Sequence, residues 1–129
     1  MYGFDGNDTL NGAAGADQLN GGNGDDVLTG GAGPDTFIFT SLWNAGQDQI
    51  TDAAAGDYLR FTGLTLTGSV VAGAGAGLME GQVAVQIGAT SAVVRIGLDA
   101  LAGADLVVTL DGAFSLSNFL ASGNDLLIV

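Results

Sequence analysis

Broken every nine residues, positions 2–37 read YGFDGNDTL, NGAAGADQL, NGGNGDDVL and TGGAGPDTF. Glycine recurs at Gly3, Gly12, Gly21 and Gly30, and again at Gly6, Gly15, Gly24 and Gly33. Aspartate recurs at Asp8, Asp17, Asp26 and Asp35, and each unit closes on a large apolar residue: Leu10, Leu19, Leu28 and Phe37. A unit this short holds one loop and one strand of about three residues, the signature of a stacked solenoid. The glycines admit positive φ and let backbone carbonyls turn inward without a Cβ clash. The aspartate at the end of each loop supplies a hard anionic oxygen. The apolar residue two positions later points away from solvent, as the alternation of a strand requires.

Two such units make one coil, so alternate units stack. Stacking sets Asp8 beside Asp26 and Asp17 beside Asp35. Like charges at that separation repel by several kcal/mol, and a bound cation makes the arrangement favourable. Carboxylate and carbonyl oxygens suit Ca²⁺, which takes about 6–8 of them at about 2.3–2.6 Å. The register runs on past Phe37. Gly46-Gln47-Asp48-Gln49-Ile50 repeats the Gly-x-Asp-x-apolar half of the unit, and Asp57-Tyr58-Leu59 repeats its end. Asp35 and Asp48 are separated by one nine-residue unit plus four residues, an insertion expected around 41–44.

The pattern resembles the RTX (repeats-in-toxin, haemolysin-type) nonapeptide G-G-x-G-x-D-x-U-x. It departs from that pattern where Phe4 and Ala13 replace the second glycine, which Gly22 and Gly31 keep, and Pro34 fills a variable slot. The resemblance implies an all-β fold: a right-handed parallel β-roll of calcium-binding repeats followed by an antiparallel β cap. It implies metal ligation by Asp8, Asp17, Asp26 and Asp35, by Asp48 and Asp57 in the degenerate units, and by loop carbonyls at the eight repeat glycines named above. The expected load is two to four calcium ions, in sites pairing Asp8 with Asp26, Asp17 with Asp35, Asp26 with Asp48 and Asp35 with Asp57.

Three segments follow from this register: repeats over 1–37, degenerate repeats and a capping segment over 38–61, and an antiparallel β region over 62–129. A solenoid needs a closed end. Asp35-Thr36-Phe37-Ile38-Phe39 resembles the longer strand that follows the last good repeat in this family, and Trp43 reads as a hydrophobic plug. In the last segment Val83, Val85 and Ile87 alternate with Gln82, Ala84 and Gln86, Val94, Ile96 and Leu98 with Val93, Arg95 and Gly97, and Leu106, Val108 and Leu110 with Val107 and Thr109. That alternation predicts half-buried strands. Asp111-Gly112 reads as a tight turn, the AGAGAG run over 72–77 as a flexible link, and 115–120 as one helical turn capped by Ser115 or Ser117.

Composition narrows the chemistry. The 129 residues carry 14 acidic and 2 basic groups, a net charge of −12, with no cysteine or histidine. Both basic residues are arginines, Arg60 and Arg95. Zinc fingers, thiol nucleophiles, imidazole bases and lysine-dependent phosphate loops are excluded. A phosphate backbone repels such a chain, so nucleic-acid binding is not expected. Neither is membrane insertion, since no apolar run approaches about 18 residues. A hydrophobic content of 47% sets the chain apart from disordered acidic tails. Residues 1–5 lack a basic and an apolar region, so no signal peptide is expected. The chain opens inside a repeat and is expected to be the C-terminal piece of a longer protein.

The end of the chain, Asp125-Leu126-Leu127-Ile128-Val129, resembles the C-terminal signal of type I secretion substrates, similar to the ends of serralysin-like proteases and related secreted bacterial proteins. It also reads as a terminal strand, and the two are compatible. The expected function is a non-enzymatic calcium-binding module that folds on Ca²⁺ outside the cell. It would meet the type I secretion apparatus transiently and carry the secretion signal of a larger bacterial protein. A second reading is a cell-surface adhesin or S-layer element, or a polysaccharide-binding appendage of a secreted enzyme, with the binding face on the C-terminal sheet; an exposed aromatic row would favour it, and 62–129 offers only Phe114 and Phe119. Catalysis within the chain is disfavoured, because Glu80 is the single glutamate and lies in a glycine-rich loop.

Overall fold

A computed structural model describes residues 1–40, 45–67, 70–73, 78, 80–98 and 106–129. The expected plug Trp43, the inserted residues 41–44 and most of the AGAGAG run lie outside the described residues. Successive repeats place their strands alternately in two sheets. β1 (Tyr2–Asp5), β3 (Gln18–Asn23), β5 (Thr36–Phe39) and β7 (Tyr58–Phe61) line up in parallel in one sheet. β2 (Thr9–Asn11), β4 (Val27–Thr29) and β6 (Gln47–Ile50) do so in the other. The described residues hold no α-helix, and the fold is the all-β roll that the repeat implies.

The closing residue of each unit builds the core. Leu10, Leu28 and Ile50 stand in register across one sheet, and Leu19, Phe37 and Leu59 across the other. All but Leu10 are fully buried. Phe39 and Phe61 extend the core, their rings stacked at 5.3 Å and 17°. Each such side chain removed from water stabilises the fold by about 1.5–3 kcal/mol.

The C-terminal strands continue the same two sheets. β11 (Leu106–Asp111) pairs in parallel with β6, then β10 (Ser91–Ile96) and β9 (Val83–Ile87) follow antiparallel, and β8 (Val71–Ala72) closes that edge. In the other sheet β13 (Asp125–Ile128) pairs antiparallel with β7, and β12 (Phe119–Ser122) lies outside it. Ile50 therefore sits opposite Leu110, and Leu59 opposite Leu126, so one core runs from the repeats to the chain end. The last strands of the roll, β6 and β7, are thus each paired on their outer side, by β11 and β13, which is what a solenoid cap must achieve.

Local details differ from the sequence reading in three places. In β9, Ala84 is buried along with Val83 and Val85, while Ile87 is 38% exposed. Ala84 is a small residue between Arg95 and Val71, and Arg95 reaches along that face to Gln86. Ile87 lies beyond the last β8 pairing, and among the described residues no strand flanks it on that side. Asp111-Gly112 is not a hairpin turn. Gly112 donates its N–H to the Thr90 carbonyl at 2.9 Å, and the chain leaves the sheet there for β12 in the other sheet. Phe114 and Phe119 form no exposed row, because the rings pack on each other at 5.6 Å and Phe119 is buried. The predicted helical turn is a single 3-10 turn, Leu116–Asn118, with Ser115 at its N-cap. The Asn118 side chain accepts the Ser115 N–H at 2.8 Å.

Two departures from the repeat keep the loop geometry. Phe4 and Ala13 adopt φ of 83° and 78°, in the left-handed region that Gly22 (107°) and Gly31 (100°) occupy at the equivalent positions. Holding a non-glycine residue there costs on the order of 1–3 kcal/mol.

Candidate metal centre

The loops joining the two sheets lie along two edges of the roll, and each loop ends on a repeat aspartate. Along one edge the Asp8 N–H donates to Asp26 Oδ1 at 2.8 Å, and the Asp26 N–H to Asp48 Oδ1 at 3.0 Å. Along the other the Asp17 N–H donates to Asp35 Oδ1 and the Asp35 N–H to Asp57 Oδ1, both at 2.9 Å. The first pair on each edge is 18 residues apart and the second 22, so the inserted residues leave the stacking unchanged. The structure thus brings together the four aspartate pairs that the register predicts, including those of the degenerate units.

In Asp26, Asp35, Asp48 and Asp57 one carboxylate oxygen is held by the amide of the preceding coil. The other is a different matter. Asp8 Oδ2, Asp17 Oδ2 and Asp26 Oδ2 are buried without a hydrogen-bond partner. Asp26 itself is only 1% exposed. Burying an unpaired carboxylate oxygen is costly, and such atoms call for a missing partner.

The repeat glycines explain where that partner fits. The first glycine of each repeat lies under its own aspartate, so a Cβ at Gly3, Gly12, Gly21 or Gly30 would collide with Oδ2 of Asp8, Asp17, Asp26 or Asp35. A Cβ at Gly12 would stand 2.6 Å from the Gly30 carbonyl oxygen and 2.9 Å from Asp17 Oδ2. Gly3 faces the Gly21 carbonyl in the same way. The carbonyls of Gly6 and Gly15 are directed at Gly24 and Gly33 of the next coil. Carboxylate and carbonyl oxygens therefore converge on cradles that any side chain would fill. Among the described residues no three carboxylates gather at one point. The donor set is instead paired carboxylates with backbone carbonyls, all hard oxygens, and it fits a calcium ion.

The electrostatics agree. Burial pushes the Asp48 carboxyl up to about 7, the Asp26 N–H works against that shift, and the charges of Asp26 and Asp25 add to it. Burial likewise raises Asp26 and Asp57, with Asp8 and Asp35 adding repulsion from the neighbouring coil. These carboxylates ionise reluctantly unless a positive charge joins them.

Some contributors were hidden in the sequence. Asp52 accepts the Gly30 N–H at 2.9 Å and the Gly31 N–H at 2.7 Å, so its carboxylate ties the next coil onto a repeat loop. Asn7 Oδ1 accepts the Asp25 N–H at 3.1 Å, and Asp25 Oδ1 accepts the Gln47 N–H at 2.8 Å, making a second ladder beside the Asp8 edge. The shared slot of Asn7 and Asp25, two units apart, was a usable signal. The role of Asp52 emerges only once the coils are stacked.

Comparison with known proteins agrees with this geometry. Residues 2–37 match the family model of the RTX calcium-binding nonapeptide repeat, in four copies. No curated protein matches the chain. The N-terminal part of this chain is an RTX calcium-binding module, with its repeats stacked into a parallel β-roll.

Proposed function

We propose that the chain is a calcium-gated folding module that carries the type I secretion signal of a larger secreted bacterial protein and has no catalytic role. The buried, unpartnered oxygens Asp8 Oδ2, Asp17 Oδ2 and Asp26 Oδ2 carry this reading. Without a cation the stacked carboxylates of Asp8, Asp26 and Asp48, and of Asp17, Asp35 and Asp57, oppose coil stacking by desolvation and mutual repulsion. Calcium would supply the missing positive charge, and its binding energy then becomes folding energy. Two to four ions are proposed, at most one for each of the four stacked aspartate pairs, with the repeat glycines contributing carbonyl oxygens.

The secretion reading rests on the same switch. Where free calcium is low the coils stay open, and an open chain can be threaded through a secretion channel. Outside the cell, calcium closes them. The tail that resembles the secretion signal is strand β13 once folded, with Leu126 and Ile128 buried and Asp125 held by Arg60 at 2.8 and 2.9 Å. Among the described residues no helix is long and apolar enough to cross a membrane.

The decisive experiment is far-UV circular dichroism through a Ca²⁺ titration, with Mg²⁺ as control. A cooperative gain of β signal with calcium alone supports the reading. A chain equally folded in chelator would overturn it.

A further inference from the structure

The repeats place an asparagine directly before a glycine at Asn11-Gly12, Asn20-Gly21 and Asn23-Gly24. Glycine carries no Cβ, so its amide nitrogen can approach the side-chain carbonyl carbon of the preceding asparagine. Attack forms a new N–C bond and closes a succinimide ring. The side-chain nitrogen leaves as ammonia, taking the proton of the attacking amide. Water then opens the ring at either carbonyl, leaving aspartate or isoaspartate. Water is the one co-reactant, and nothing is oxidised or reduced.

The attack needs a side chain free to fold back and a following amide free of other partners. The stacked roll withholds both. The Gly12 N–H donates to the Thr29 carbonyl at 2.9 Å, so the nucleophile at the first pair is engaged. Asn20 is 5% exposed, its Nδ2 donates to Thr40 Oγ1 at 3.1 Å, and its backbone N–H donates to the Met1 carbonyl at 2.9 Å. It lies within β3, where side chains stand off the sheet and backbone amides lie in it. Asn23 Nδ2 donates to Asp5 Oδ1 at 2.7 Å, and the Asn23 carbonyl accepts the Gly6 N–H at 2.9 Å. Each of these restraints joins residues at least 17 positions apart, from different coils, so it exists only while the coils are stacked.

We propose that Asn11, Asn20 and Asn23 are deamidation sites gated by calcium: they convert in the open chain and are protected in the closed roll. This rests on the calcium-gated folding proposed above. Conversion would also disable the module. Isoaspartate lengthens the backbone directly before Gly12 or Gly21, and those glycines lie under Asp17 and Asp26 with no room for even a Cβ.

The test incubates the full chain at mildly alkaline pH in chelator and in saturating calcium, followed by peptide mapping with mass spectrometry. In chelator all three sites should yield both aspartate and isoaspartate, ahead of Asn7, Asn118 and Asn124, which no glycine follows. In calcium they should convert at least roughly tenfold more slowly, because a protected group reacts only through local opening. The converted chain, purified by charge, should need more calcium to gain β signal. Intact sites in chelator, aspartate without isoaspartate, or an unchanged calcium titration of the converted chain would each overturn the proposal. Circular dichroism of the incubated samples separates the two readings. A chain that folds on calcium yet converts equally in both buffers overturns only the deamidation gate, whereas a chain equally folded in both overturns the calcium switch as well.

Discussion

Replacing Asp48 by asparagine should change stability with opposite signs in the presence and absence of calcium. Asp48 is 4% exposed, and its Oδ1 accepts the Asp26 N–H at 3.0 Å. Asparagine keeps that acceptor and the side-chain shape, and removes only the charge. The carboxyl is raised from 3.8 to about 7. A folded-state pKa above the unfolded one adds stability that is complete below the unfolded value and lost as pH rises through the folded value. The shift is about 3 units at roughly 1.4 kcal/mol each, so at about pH 8 the ionised group opposes metal-free folding by up to about 4 kcal/mol. Asp48→Asn removes that opposition. In chelator the variant should therefore show β signal that the parent lacks. In calcium the variant loses a charged ligand, and a site saturated at about 100 times its Kd contributes about 2.7 kcal/mol, so it should unfold at lower urea. Far-UV circular dichroism in chelator and in calcium reads both effects. Equal destabilisation in the two buffers would refute the reasoning.

The same sign analysis predicts that the metal-free parent gains β signal on acidification from about pH 7 to about pH 4, as Asp48, Asp26 and Asp57 protonate; a flat pH titration in chelator would count against it. Asp26 stands in two stacked pairs and Asp8 in one, so calorimetry should find two weakened sites in Asp26→Asn and one in Asp8→Asn. Gly21→Ala drives a methyl into the Asp26 carboxylate and should cost about 1–3 kcal/mol or more in calcium, read by thermal melting. Leu126→Ala opens a void opposite Leu59 and should cost about 2–5 kcal/mol, with a matching rise in the calcium needed to fold.

Much of the candidate metal centre was legible in the sequence because the repeat is strict. A nine-residue period with two units per coil dictates which aspartates meet, and the Asp8–Asp26 and Asp17–Asp35 contacts follow from it. Even Asp48 and Asp57 could be placed, since the Gly-x-Asp-x-apolar fragment survives the insertion. The C-terminal half was less legible. Alternation assigned inward faces to Val94, Ile96, Leu106, Val108 and Leu110, all of which are buried. It could not say that β11 would extend β6 in parallel, or that β13 would lie on β7.

The amino-acid sequence by itself determined the coil and the ladder of carboxylates, because both are consequences of local spacing. Tertiary structure alone decided how the roll ends, which chain segments share the core, and that Phe4 stands strained and open beside Tyr2. Hydrogen-bonded strand edges accept any strand of suitable length and register. The choice among partners therefore depends on long-range packing, such as Leu59 against Leu126 and Arg60 against Asp125, between residues far apart in the chain.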